Sequence, residues 1–343
     1  MRAVLSAHLV SLAGVWAFHL LQLPLPWLLG PLFASLIAAL AGLPLGGLPA
    51  LNNAMRSILG VAVGATFTVA LVVSMAQMWT TLLLVPVMVA LIGVVGVPYF
   101  QRLWGMDFPT AYYAAMPGGL QDMLLFGEEA GGDVRALSLV HATRVLAIVV
   151  ALPFILEGYW SVDLSTPPGA PATTLPTGQL ALMVFAGLAG WQGAKRVGLF
   201  GASILGPMIL AGLLALTGLL QHRPPAEAIW AAQFYIGMTV GTKYAGITGQ
   251  ELRRDVAAAL GFCVILLILT ALFVEVIHLF ALAPPMEALL AFAPGGQAEM
   301  TVLALIAGAD MAFVIAHHVL RIVTVILGAP IAARLLAARS SPP

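Results

Sequence analysis

From residue 3 to residue 334 this sequence is a succession of long apolar runs, and no other feature limits its fold as much. Hydrocarbon offers no partner to a peptide N–H or C=O, and each group left unpaired there costs several kcal/mol. Ten runs approach the roughly 20 residues that a helical crossing takes, near 3–21, 26–43, 52–72, 77–100, 133–155, 177–194, 199–220, 226–246, 255–281 and 309–334. The chain is 61% hydrophobic and 8% charged, with a mean hydropathy of +1.04, whereas soluble domains carry roughly 25% charged residues. The fold class expected is therefore an all-α polytopic membrane protein, with the lipid bilayer as its first partner. Formal net charge is zero, which leaves no basic surface for nucleic acid. Cys263 has no second cysteine to pair with. Met1-Arg2 and the apolar run behind it are similar in pattern to a signal peptide, but the counterpart of that run in the second half favours an uncleaved span.

Two places interrupt this pattern in the same way. Met116-Pro117-Gly118-Gly119-Leu120-Gln121-Asp122-Met123 is echoed by Ala293-Pro294-Gly295-Gly296-Gln297-Ala298-Glu299-Met300. Proline removes a backbone donor and glycine resists helical order, so each Pro-Gly-Gly breaks a helix. A break at membrane depth is tolerated only where protein or water satisfies the freed groups. Paired breaks in the two halves of a chain point to a transporter's binding site.

The two halves are repeats. At an offset of 177, Pro117, Gly118, Gly119, Met123, Asp133, His141, Arg144 and Pro153 fall on Pro294, Gly295, Gly296, Met300, Asp310, His318, Arg321 and Pro330, and Asp122 faces Glu299. Gly60 and Gly64 fall on Gly237 and Gly241. With a one-residue slip, Leu12-Ala13-Gly14 matches Leu188-Ala189-Gly190, and Leu29-Gly30-Pro31 matches Leu205-Gly206-Pro207. Such order over half a chain marks a tandem duplication. It divides the chain into a first membrane repeat at 1–156, a polar Pro-rich linker at 157–176 and a second membrane repeat at 177–343.

Charge decides the orientation. If each broken segment is a re-entrant hairpin, each half has five spans and the second half is inverted. Arg2, Arg56, Arg102, Arg135, Lys195, Arg196, Arg253, Arg254, Arg334 and Arg339 then share one side, against Arg223 on the other. The positive-inside rule places that side, with both termini, in the cytoplasm and the linker outside the inner (cell) membrane. Full crossings by the broken segments would dissolve this bias.

Ionisable groups within the spans are functional candidates by default. Arg144 and Arg321 lie eleven residues into their helices and share a face with Asp133 and Asp310. His141 and His318 precede the arginines by three. A buried guanidinium needs a partner, and Asp122 and Glu299 are the natural candidates. The candidate substrate site is Pro117, Gly118, Gly119, Gln121, Asp122, Arg144, Pro294, Gly295, Gly296, Gln297, Glu299 and Arg321. The half-helices that begin after the breaks would aim free N–H groups at an anion. Asp133, His141, Asp310 and His318 are the candidates for proton coupling. Plainer readings stand beside these. Asp133 and Asp310 suit helix N-caps. An arginine–carboxylate pair can simply lock two elements together. The glycine pairs suit helix packing, and Lys243 suits snorkelling to the interface.

The duplicated pattern Pro-Gly-Gly-x-x-Asp/Glu-Met, followed by Asp, His and Arg and closed by Pro, resembles the AbrB membrane-protein family over nearly the whole chain. That family carries the labels of gene-expression regulator and of ammonia monooxygenase. Nothing here is similar to the small DNA-binding transition-state regulator that shares its name. The architecture also looks like the cation/proton antiporter and anion transporter group, a likeness at the level of fold alone. The expectation is a secondary transporter or exporter of a small anionic or amphiphilic organic solute, moved with H+ or Na+, without cofactor or metal, and compatible with a homodimer. The alternatives are a membrane-embedded regulator acting indirectly and a membrane monooxygenase. Oxygen chemistry on copper or iron needs clustered His and carboxylate ligands, and only His317, His318 and Asp310, on one helix, approach that.

Overall fold

The computed structural model describes residues 2–69, 78–164, 167–199 and 202–340. The ends of the expected spans at 70–72 and 77, residues 200 and 201 of the seventh, and Ser165 and Thr166 of the linker lie outside the described residues. In chain order the main helices are α1 (Arg2–Leu20), α2 (Pro26–Leu40), α3 (Pro49–Gly64), α4 (Trp79–Pro98), α5 (Phe108–Ala115), α6 (Leu120–Glu129), α7 (Val134–Trp160), α8 (Thr177–Arg196), α9 (Ala202–Leu216), α10 (Ala226–Thr242), α11 (Ala257–Leu279), α12 (Pro285–Phe292), α13 (Gln297–Ile306) and α14 (Met311–Ser340). Wider π-turns extend α4 through Tyr99–Leu103 and lead into α11 through Leu252–Val256.

Among the described residues, five helical stretches are long and apolar enough to cross a membrane: Arg2–Leu20, Trp79–Leu103, Val134–Trp160, Gly249–Leu279 and Met311–Ala333. The sequence suggested ten. The other five runs fold as α2 and α9 of 15 residues, α3 of 16 and α10 of 17, about 22–26 Å at 1.5 Å per residue, and as α8 of 20, which carries two glutamines and ends on Lys195 and Arg196. In α2 the helix opens on Pro26, directly after Leu25 in the left-handed conformation (φ 48°), so the apolar run continues beyond the helix.

The chain forms two compact units, each drawing on both halves of the sequence. The first comprises Met1–Ala76, Val150–Gly246 and Ala298–Ala312, and the second Gln77–Val149, Ile247–Gln297 and Phe313–Pro343.

Glycine sets the packing of the first unit. A Cβ on Gly14 would strike the carbonyl of Gly30, and one on Gly206 would strike that of Gly190. The backbones of α1 and α2 therefore touch, as do those of α8 and α9. Gly60 and Gly64 of α3 lie against the backbone of α9 at Ile204 and Met208, whereas Gly237 and Gly241 of α10 lie against α2 at Leu28 and Leu32. Each repeat thus lends its third helix to the second helix of the other. The small-xxx-small pattern serves packing, as close helix contact in an apolar medium requires.

In the second unit, Gly93 and Gly96 of α4 admit Met116 and Ala115 at the end of α5. Phe262 of α11 stacks on Tyr99 and tilts against Phe100, with ring centroids 5.8 and 4.8 Å away. The Tyr99 hydroxyl donates to the Ala258 carbonyl at 2.9 Å. Phe273 of α11 stacks on Phe292 of α12 at 5.7 Å. Tyr112 of α5 donates to the Ala329 carbonyl of α14 at 2.9 Å, joining the first repeat's broken segment to the second repeat's last helix.

Candidate functional site

Both Pro-Gly-Gly motifs break their helices where the sequence places the break. The half-helices α5 and α12 have eight residues each, and α6 and α13 have ten each. At the break the chain turns extended, with φ −64° and ψ 130° at Met116 and φ −61° and ψ 126° at Ala293. In the first copy the chain also folds back on itself. Tyr113 of α5 meets Phe126 of α6, with ring centroids 6.3 Å apart. The Asp133 amide donates to the Thr110 hydroxyl at 2.8 Å. Residues 108–133 are therefore a helical hairpin with Pro117-Gly118-Gly119 at its tip.

A helix that stops inside an apolar interior leaves carbonyls without donors. Here α7 and α14 supply the donors from the same positions of each repeat. His141 Nε2 lies 3.0 Å from the Tyr113 carbonyl, and His318 Nε2 lies 2.9 Å from that of Leu290. Arg144 donates from Nη1 to the Met116 carbonyl at 3.0 Å and from Nη2 to the Gly118 carbonyl at 2.9 Å. Arg321 repeats this fork on the Ala293 and Gly295 carbonyls at 2.9 and 3.0 Å. A planar guanidinium spans two carbonyls across a proline, which an ammonium group cannot do with fixed geometry. Positive charge also suits the C-terminal end of a half-helix.

These four side chains are almost fully buried, at 0% and 1% exposure for His141 and His318 and 3% and 7% for Arg144 and Arg321. Each arginine keeps a buried Nε–H without an acceptor, and each histidine a buried Nδ1 without a partner. The two guanidinium groups are near enough to repel one another. The carboxylate partners expected for them are replaced by main-chain carbonyls. Among the described residues the ion pairs are Arg135–Glu251 and Arg254–Asp255. Asp122 is half-buried in the first turn of α6. Glu299, 5% exposed in the first turn of α13, belongs to the first unit. There its charge and that of Lys243 act on each other. Lys243, read from sequence as a snorkelling residue, thus feels the charges of both Arg56 and Glu299.

The aspartates cap helices. Asp133 Oδ1 accepts from the amides of Arg135 and Ala136 at 2.9 and 3.0 Å, and Asp310 Oδ1 from that of Ala312 at 2.9 Å. Replacing Asp133 by Ala is expected to cost about 1 kcal/mol, whereas Asn, which keeps the acceptor oxygen, should cost a few tenths. Chemical or thermal unfolding of the purified variants measures both. An equal loss for the two would remove the capping role.

Pro117, Gly118, Pro294 and Gly295 are buried, and Gly119, Gly296 and Gln297 are half-buried; the side chain of Gln121 lies outside the description. A Cβ on Gly118 would meet Met123 and, on α14, Val325, so the first tip lies against the helix that carries Arg321. Beside the second break a void of about 10 Å³ is lined by Pro294, Arg321 and His317 among apolar side chains, room for a single water molecule. His317 has no equivalent in the first repeat, where Val140 stands at the matching position. The His317 ring sits close to Phe313, whose carbonyl it meets at 2.7 Å.

Together these features define a helical protein of membrane type, duplicated, with two broken helices held by buried arginines. The chain belongs to the AbrB family: the family described as "Transition state regulatory protein AbrB" matches residues 27–337. Among curated relatives, "Uncharacterized protein YhjN" of Bacillus subtilis (strain 168) is 25% identical over 95% of this chain and 91% of its own length. "Putative regulator AbrB" of Escherichia coli (strain K12) is 24% identical over 93% of this chain and 92% of its own.

Proposed function

We propose that the chain is a secondary transporter or exporter of a small organic anion or anionic amphiphile, not an enzyme, and that the solute binds at the two Pro-Gly-Gly tips. The observation that carries this reading is the pair of buried guanidinium groups, each bound to main-chain carbonyls and near enough to repel the other. Two desolvated positive charges without a carboxylate between them are costly to hold. An anion that enters between them removes that cost. The open N-termini of the half-helices after each break add to the attraction. In this reading the ten apolar runs cross the inner membrane as two inverted five-span repeats, the broken segments are re-entrant, and both termini are cytoplasmic, as the distribution of Lys and Arg favours. Asp122 and Gln297, beside the tips, would select among solutes. His141 and His318, with Nδ1 free to accept a proton, would couple transport to H+.

The test is flux in proteoliposomes. Wild-type protein should move an organic anion down an imposed gradient, and Arg321→Lys should lower that flux at least tenfold while the protein stays folded by thermal melt. Unimpaired flux in Arg321→Lys and Arg144→Lys would discard the site.

A second reading draws on the name of the Escherichia coli relative: a membrane protein that affects gene expression through the solute it moves. Expression effects that vanish in transport-dead variants would place regulation downstream of transport. Effects that persist would separate the two.

A further inference from the structure

The first unit contains a cavity of about 460 Å³, within the range of ligand sites, at the end of the unit where α1, α7 and the linker come together. It is walled by the α1–α2 turn, the end of α7, Pro168 of the linker and the first turns of α10. Trp27 and Trp230 stack at 6.0 Å with their planes 16° apart, one from each repeat, and His19 meets Trp27 edge-on at 6.2 Å. Glu157 lies on the wall, with the charge of Asp163 close enough to act on it. Among the described residues that line the cavity there is no Lys or Arg.

Two further observations indicate a built site. Gln233, also on the wall, is 2% exposed, and its buried Nε2 donor has no acceptor. Such a group costs free energy unless something else binds it. The α1–α2 turn in the wall holds two non-glycine residues in the left-handed region, Gln22 at φ 51° and Leu25 at φ 48°, and strain of this kind clusters at ligand sites. The duplicated fold does not require this wall: Trp27, Trp230 and Gln233 correspond to Ser203, Asn53 and Arg56 in the other copy.

We infer that this cavity binds a small organic cation, an alkylated ammonium that also carries an oxygen acceptor. The cation lies on the indole faces, as quaternary ammonium groups do in aromatic sites. Glu157 balances its charge, and the oxygen accepts from Gln233 Nε2. The site is separate from the tips and of opposite sign, and it does not rest on the transport reading.

Choline serves as the probe, titrated calorimetrically into the full-length protein in phosphatidylglycerol nanodiscs. Saturable binding is expected, at least tenfold weaker in Glu157→Gln and in Trp230→Leu and unchanged in Gly193→Ala, a position with open space around its Cβ. The neutral isostere 3,3-dimethylbutan-1-ol should bind at least tenfold more weakly than choline. Repeating the titration in phosphatidylcholine nanodiscs identifies the source: unchanged choline affinity marks a free solute, and its loss marks a lipid headgroup already in place. The inference fails if folded wild-type protein gives no saturable binding. It also fails if the neutral analogue binds as well, or if the Glu157 and Trp230 variants bind as wild type does.

Discussion

Arg321→Met is expected to destabilise the purified protein by about 3 kcal/mol, and Arg144→Met by a similar amount. Each fork supplies two charge-assisted hydrogen bonds, worth ~1.5–3 kcal/mol apiece, to carbonyls at a helix break with few other donors. Part of that loss is offset, because a methionine no longer has to be desolvated as a cation. Since the two guanidinium groups repel each other, either single change already relieves that repulsion, which can be relieved only once, and the double variant should lose more than the sum of the singles. Lysine at either position keeps the charge but not the fork, and should fall between arginine and methionine. Thermal or denaturant unfolding of the four proteins in a double-mutant cycle measures all of this. Single variants within about 0.5 kcal/mol of wild type would show that the carbonyls find other donors, and an additive cycle would remove the repulsion.

Residue spacing explains which parts of this arrangement were legible in advance. Pro-Gly-Gly carries its own backbone consequence, so the breaks at Met116 and Ala293 could be placed to the residue. The offset of 177 carried His141 onto His318 and Arg144 onto Arg321, and both pairs do the same work. The acceptors could not be read. Helical periodicity says that Arg144 faces a given side, but a carbonyl belongs to every residue type and leaves no mark in a sequence. The eye goes instead to Asp122, whose type announces an acceptor. The exchange of third helices between repeats was equally invisible, because Gly60 and Gly64 announce close contact without naming the partner. The cavity at Trp27 and Trp230 was missed for a related reason: indoles near span ends suit interfacial anchors, and only the fold brings these two together.

The helix crossings of the first unit should be the least forgiving positions in the chain. A Cβ on Gly30 would lie 2.7 Å from the Gly14 carbonyl oxygen and 2.8 Å from the Val15 amide nitrogen. On Gly206 it would strike the Gly190 carbonyl and lie 2.5 Å from the Ala194 Cβ. Main chain cannot rotate away as the end of a long side chain can, so the helices must separate along the whole crossing. Overpacking usually costs ~1–3 kcal/mol, and here the value should sit at the upper end, near 3 kcal/mol for Gly30→Val and Gly206→Val alike. The duplication predicts the equality, since both residues meet the same element of their own repeat. Gly193 provides the contrast. It lies in the same helix as Gly190, but nothing stands within 4 Å of its Cβ position, so Gly193→Ala should stabilise by about 0.5–1 kcal/mol through helix propensity. Unfolding midpoints of the three variants decide the matter. A tolerated valine at either crossing would mean that the α1–α2 or α8–α9 backbones do not touch, and a destabilising alanine at 193 would place a neighbour where the fold leaves open space.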